Sequence, residues 1–110
     1  MIEFKKHIHY DVDLEVGVLG ACLLEKQAMS RIFGIVTDDI FYNEANKTVY
    51  AALVQMWQEN IPIDILTVTN FIARKGVEKL DADPVALYVT RLTNWVVSAA
   101  HLEYHSFILR

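Results

Sequence analysis

Apolar positions recur along most of this chain at three- and four-residue intervals, the spacing of helices that bury one face. In "LEVGVLGACLLE", Val16, Leu19 and Leu23 share one side, and Asp13 is placed to cap the start with Glu15 favourable in the first turn. Gly17 and Gly20 interrupt that helix at a cost of roughly 1 kcal/mol each relative to alanine, which predicts close packing by another helix. The spacing returns in "AMSRIFGIV" with Ala28, Ile32 and Ile35, and "TDDIFY" then supplies acids and a turn, with Phe41 and Tyr42 expected to plug the core.

From Asn43, a suitable N-cap, "EANKTVYAALVQMWQEN" places Ala45, Val49, Ala52, Leu53 and Met56 on one face of a long helix. Asn60 suits its end and Pro62 prevents continuation. Asp64 is placed to cap "ILTVTNFIARK", whose last turn carries Arg74 and Lys75 before Gly76. The β-branched "ILTVT" would also suit a strand, but Val68, Phe71, Ile72 and Lys75 keep the helical period and no second strand offers to pair with it. "VEKLDAD" reads as a polar connector, and Asp83 followed by Pro84 predicts an N-cap and N1 proline for a helix that buries Val85, Tyr88, Val89 and Leu92. Ser98 can cap a last helix, "AAHLEYHSFILR", which reaches Arg110 without a stop signal and so reads as interrupted.

These elements predict an all-α fold, a compact bundle of about six helices: an arm over 1–12, a globular domain over 13–97, and over 98–110 the start of a further helix. A chain of 110 residues with 54% hydrophobic positions is long enough for one core and too short for two. Its formal charge of −4 argues against general attraction to a phosphate backbone or an anionic lipid surface. Cys22 stands alone in an apolar stretch, which excludes an internal disulfide and fits a reducing, cytoplasmic setting. The longest apolar run is about half of what a bilayer span needs, and "MIEFKKHIHYDVD" carries charges where a signal peptide would be apolar, so no membrane role is expected.

Candidate chemistry is sparse. The four glycines, Gly17, Gly20, Gly34 and Gly76, precede no lysine, so no phosphate-cradling loop of the Gly-Lys-Ser/Thr type exists here. Ser30, Ser98 and Ser106 lack a nucleophile elbow, and Cys22 reads as a buried small hydrophobe. Asp38 with Asp39, and Asp81 with Asp83, could pair as acid and base, but acids where helices start are favoured by the helix dipole alone. His7 and His9 have metal-compatible spacing on an extended arm, yet two ligands are too few for a specific site. In "HLEYH", His101 and His105 share a helix face while Glu103 points about 200° away, so it cannot close the same site. Neither does the stretch match H-E-x-x-H. His101, His105 and Ile108 instead form a stripe flanked by Leu102 and Leu109, a packing face. The expected catalytic, cofactor and metal residues are therefore none, and the candidate protein interface is Leu102, His105, Phe107, Ile108 and Leu109.

The segments "EVGVLGACLLE", "DDIFYNEANKTVYAALVQMWQENIPIDILTVTNFIARKG" and "LYVTRLTNWVVSAAHLEYHSFILR", in this order and spacing, resemble the N-terminal domain of bacterial replicative DNA helicases of the DnaB type, from about Asp11 onward. Asn46 stands where many relatives have histidine, and His101 where many have asparagine. The resemblance implies a non-catalytic collar domain of a hexameric ring helicase, with a primase docking on the collar and an ATPase domain, using ATP and magnesium, outside this chain. It also implies that the last helix belongs to a helical hairpin used for subunit contact, and that DNA is engaged only through the full ring. A fragment with that helix exposed is expected to dimerise through its apolar face. Two other readings stand beside it: an independent helical adaptor or loader-like protein without an ATPase domain, and a small metal-dependent enzyme built on His101 and His105.

Overall fold

Helix starts are where the chain commits itself, and in the computed structural model two of the described helices, those beginning at Glu44 and Ile65, start on the residues that capping chemistry selects. The structure describes the backbone of residues 2–33 and 41–94 and the side chains of 13–33 and 41–94. Within these lie five helices: α1 (Ile2–Leu24), α2 (Ala28–Ile32), α3 (Glu44–Gln58), α4 (Ile65–Arg74) and α5 (Val85–Asn94). A two-residue hairpin, β1 (Lys79–Leu80) with β2 (Asp83–Pro84), precedes α5. The helix expected from Ser98 onward, and Ile35 with the Asp38/Asp39 pair, lie outside the described residues.

α3 and α4 begin as the sequence predicts. Asn43 accepts from the Asn46 amide at 3.0 Å. Asp64 forms a reciprocal box with Thr67, its carboxylate accepting from the Thr67 N–H at 2.8 Å while the Thr67 hydroxyl accepts from the Asp64 N–H at 2.9 Å. Asn60 and Gly76 end these helices in the left-handed region, at φ 60° and 89°.

Three local expectations need correction. α1 begins at Ile2 rather than Asp13, because nothing between them breaks a helix and an exposed Asp13 keeps its carboxylate in water at an interior position. The backbone of His7 and His9 is accordingly helical, not extended, and positions two apart on a helix do not face one another. Asp83 and Pro84 do not open α5 as N-cap and N1. They form β2, paired in the register Lys79↔Pro84 and Leu80↔Asp83, and the turn between the strands puts Asp81 and Ala82 at φ 54° and 72°. Two successive left-handed residues are what a two-residue type I′ hairpin requires, so turn geometry prevails over the capping signal. Tyr42 does not plug the core beside Phe41: Phe41 is buried and stacks on Tyr50 with ring centroids 4.5 Å apart, while Tyr42 is 66% exposed.

Packing follows the helical stripes. α3 and α5 each pack on both α1 and α4, so the four longer helices surround one core, with α2 against α1 and α3. Leu19 and Leu23 of α1, Val49, Leu53 and Met56 of α3, Val68 and Ile72 of α4, and Val89 and Leu92 of α5 are all buried there. Each such side chain contributes roughly 1.5–3 kcal/mol through the water it sheds. Gly17 and Gly20 are buried in α1, consistent with close approach by a neighbour.

Candidate functional site

The sequence-predicted interface, Leu102, His105, Phe107, Ile108 and Leu109, lies outside the described residues, as does His101. What the structure does place bears on the chemistry weighed for the rest of the chain. The Cys22 thiol is buried, and that burial, helped by the nearby Glu25 carboxylate, pushes it up to about 12, so it stays protonated and unreactive at neutral pH. Asp81 and Asp83 do not sit at a helix start. Asp83 belongs to the hairpin and accepts from the Arg91 guanidinium at 2.6 Å across a half-exposed ion pair. Among the described residues, no group of three or more His, Cys, Asp and Glu side chains could hold a metal ion.

The polar chemistry that does converge is buried at Glu15 and Asn46 and half-buried at Tyr88, and it joins three helices. Glu15 of α1 is 2% exposed and Asn46 of α3 is 1% exposed, although both carry polar ends. The Glu15 carboxylate accepts from the Tyr42 N–H at 2.8 Å, the Asn43 N–H at 3.4 Å and the Asn46 side-chain amide at 3.1 Å. On its other side the Asn46 carbonyl oxygen accepts from the Tyr88 hydroxyl of α5 at 2.5 Å. Because a carboxylate can only accept, Asn46 must turn its NH₂ toward Glu15 and its oxygen toward Tyr88. Every proton in the chain Tyr88–Asn46–Glu15 therefore points the same way, toward the buried charge. The Tyr88 phenol is pushed up to about 12, first by burial and then by Asp81 and Glu15, which keeps it in the donating form.

No reading of the sequence joined these three residues. The available signal is that each occupies a core stripe: Glu15 is four before Leu19 and seven before Cys22, Asn46 is three before Val49 and seven before Leu53, and Tyr88 is three after Val85 and four before Leu92. A polar residue on an apolar stripe must find a buried partner, and three such residues on three helices can find each other. Elsewhere the surface carries separate exposed apolar side chains, Leu24, Leu66 and Leu87 among them. No helix among the described residues is long and apolar enough to cross a membrane.

Comparison with known proteins aligns with this architecture. The family model for the DnaB-like helicase N terminal domain matches residues 7–110. The chain is 38% identical over 98 residues to the replicative DNA helicase DnaB of Rhodothermus marinus, covering 89% of this chain and 10% of that protein. To the replicative DNA helicase DnaB of Treponema pallidum it is 32% identical over 100 residues, covering 91% of this chain and 22% of that protein. The crystal structure of the N-terminal domain of DnaB helicase from Mycobacterium tuberculosis superposes with a TM-score of 0.74 at 29% identity, covering 84% of this chain and 66% of that one. The chain thus spans only about a tenth to a fifth of the length of these two helicase relatives.

Proposed function

The chain belongs to the family of the DnaB-like helicase N terminal domain, and on that premise we propose that it serves as a non-catalytic collar domain of a hexameric replicative DNA helicase, acting through subunit association and primase docking. The observation that carries the reading is the match along residues 7–110, with relatives that are themselves named replicative DNA helicases. Among the described residues, the Cys22 thiol is held protonated and the buried Glu15 carboxylate is occupied by backbone and amide donors, so neither offers chemistry of its own.

In this reading ATP hydrolysis with magnesium falls to an ATPase domain outside these residues, since the four glycines of the chain form no phosphate loop. DNA is engaged only by the complete ring, because the net charge of −4 gives this domain no general attraction for phosphates. The protein works in the cytoplasm, without a membrane. Subunit contact is assigned to the apolar face of Leu102, His105, Phe107, Ile108 and Leu109.

The test uses the purified chain. Concentration-dependent association in sedimentation, binding to purified primase, and absence of ATP hydrolysis are the expected results. A strict monomer at high concentration that ignores primase, or ATP turnover by this chain alone, overturns the proposal.

A further inference from the structure

We infer that the Glu15–Asn46–Tyr88 chain is a register lock that aims the leading half of α1. Apolar contacts are non-directional, and the part of α1 that meets the core presents Leu19, Cys22 and Leu23 together with the buried, side-chain-free Gly17 and Gly20. Such a face resists separation but offers little against sliding or tilting. Hydrogen bonds have both length and direction, and the buried Glu15 carboxylate of α1 meets three donors at the mouth of α3, two of them backbone amides that cannot move without moving the chain into that helix. Asn46 then ties the same point to α5 through Tyr88. Glu15 is thereby fixed along two helices at once.

The consequence is mechanical. α1 is 23 residues long, and Ile2 lies roughly 20 Å along the axis from Glu15 at about 1.5 Å per residue. A tilt of about 10° at Glu15 displaces the helix start by roughly 3–4 Å. The lock therefore decides where the first half of α1 points relative to the body formed by α3, α4 and α5.

The one-way order of donors supplies a test that packing alone does not pass. Asn46→Asp keeps the shape of the side chain but sets a carboxylate against Glu15. Adding Glu15→Gln reverses that one link: the glutamine NH₂ donates to the carboxylate introduced on α3, its carbonyl still accepts from the Tyr42 amide and Tyr88 still donates, while only the long 3.4 Å bond from the Asn43 amide, which goes to the replaced oxygen, is given up. Spin labels on cysteines introduced at Glu3 and at the exposed Asn70 of α4 report the direction of α1, with the buried Cys22 replaced by alanine. In the otherwise native protein a single narrow distance is expected. Asn46→Asp alone shifts or widens it by roughly 3 Å or more, and the double variant restores it. An unchanged distance in the single variant, or no restoration in the double, overturns the inference. If the single variant does not fold, recovery of a folded protein with the native distance in the double variant supports the lock, and failure to recover overturns it.

Discussion

α3 and α4 solve the same problem at their N-termini by different means. In α4 the N-cap Asp64 and the third helical residue Thr67 satisfy each other's backbone amides, in solvent and within three residues. In α3 the N-cap Asn43 serves the Asn46 amide in the same local way, but its own N–H goes to Glu15, 28 residues earlier and on another helix. Asn46, at the position of Thr67, turns its side chain away from the cap and donates to that same carboxylate. A local cap stabilises one helix; a cap borrowed from a neighbour also fixes where the neighbour lies. The difference teaches that capping can carry tertiary information, at the cost of burying a charge.

The sharpest way to break the contrast is Glu15→Ala. Two backbone amides and the Asn46 NH₂ lose their acceptor in a buried site, and a loss of about 3 kcal/mol or more is expected from urea denaturation. High pH sharpens the contrast next, because it reaches the Tyr88 phenol at the far end of the network that caps α3. The Cys22 thiol and the Tyr88 phenol have ordinary values of 9.0 and 10.0, and in the fold both are held up at about 12. Both are acids kept neutral by folding. Their contribution is fully present below about pH 9 and is lost as the pH rises toward 12, since the unfolded chain gives up these protons first. The thermal midpoint should fall across that window, and Tyr88→Phe should flatten the part of the fall above about pH 10.

Asp64→Ala removes the exposed cap of α4 and is expected to cost about 1 kcal/mol, the usual value of a local N-cap. A cost equal to that of Glu15→Ala would erase the distinction between the two caps. The start of α5 is a third case, set by the hairpin before it. Ala82 is left-handed there without the help of a glycine. Ala82→Gly should raise the unfolding free energy by about 0.5 kcal/mol, the relief of the left-handed penalty less the extra entropy glycine loses on folding. A destabilised variant would mean that the methyl group contributes more than the strain costs.

Much of the fold could be read directly. The stripes of α3, α4 and α5, the caps Asn43 and Asp64, and the ends at Asn60 and Gly76 are local features, and each occupies the place that its chemistry predicts. The errors also share a cause. Asp13 and the Asp83–Pro84 pair carry real capping signals, yet a signal for starting a helix cannot show that the helix already runs through it, or that a tight hairpin holds the same residues in a strand. The buried polar chain is less legible still. Local chemistry assigns Glu15 to the first turn of its own helix, whereas it serves the start of another; periodicity reports which residues face inward but not which inward-facing residues meet.

The sequence by itself determined the helical class, the segments of α3, α4 and α5, the apolar setting of the one cysteine and the likeness to the N-terminal domain of replicative helicases, because all of these rest on spacing, composition and order along the chain. Only the tertiary structure decided that Glu15, Asn46 and Tyr88 form one hydrogen-bonded line. Those contacts span 31 and 42 residues, and a hydrogen bond at that separation exists only once packing has brought its donor and acceptor within reach.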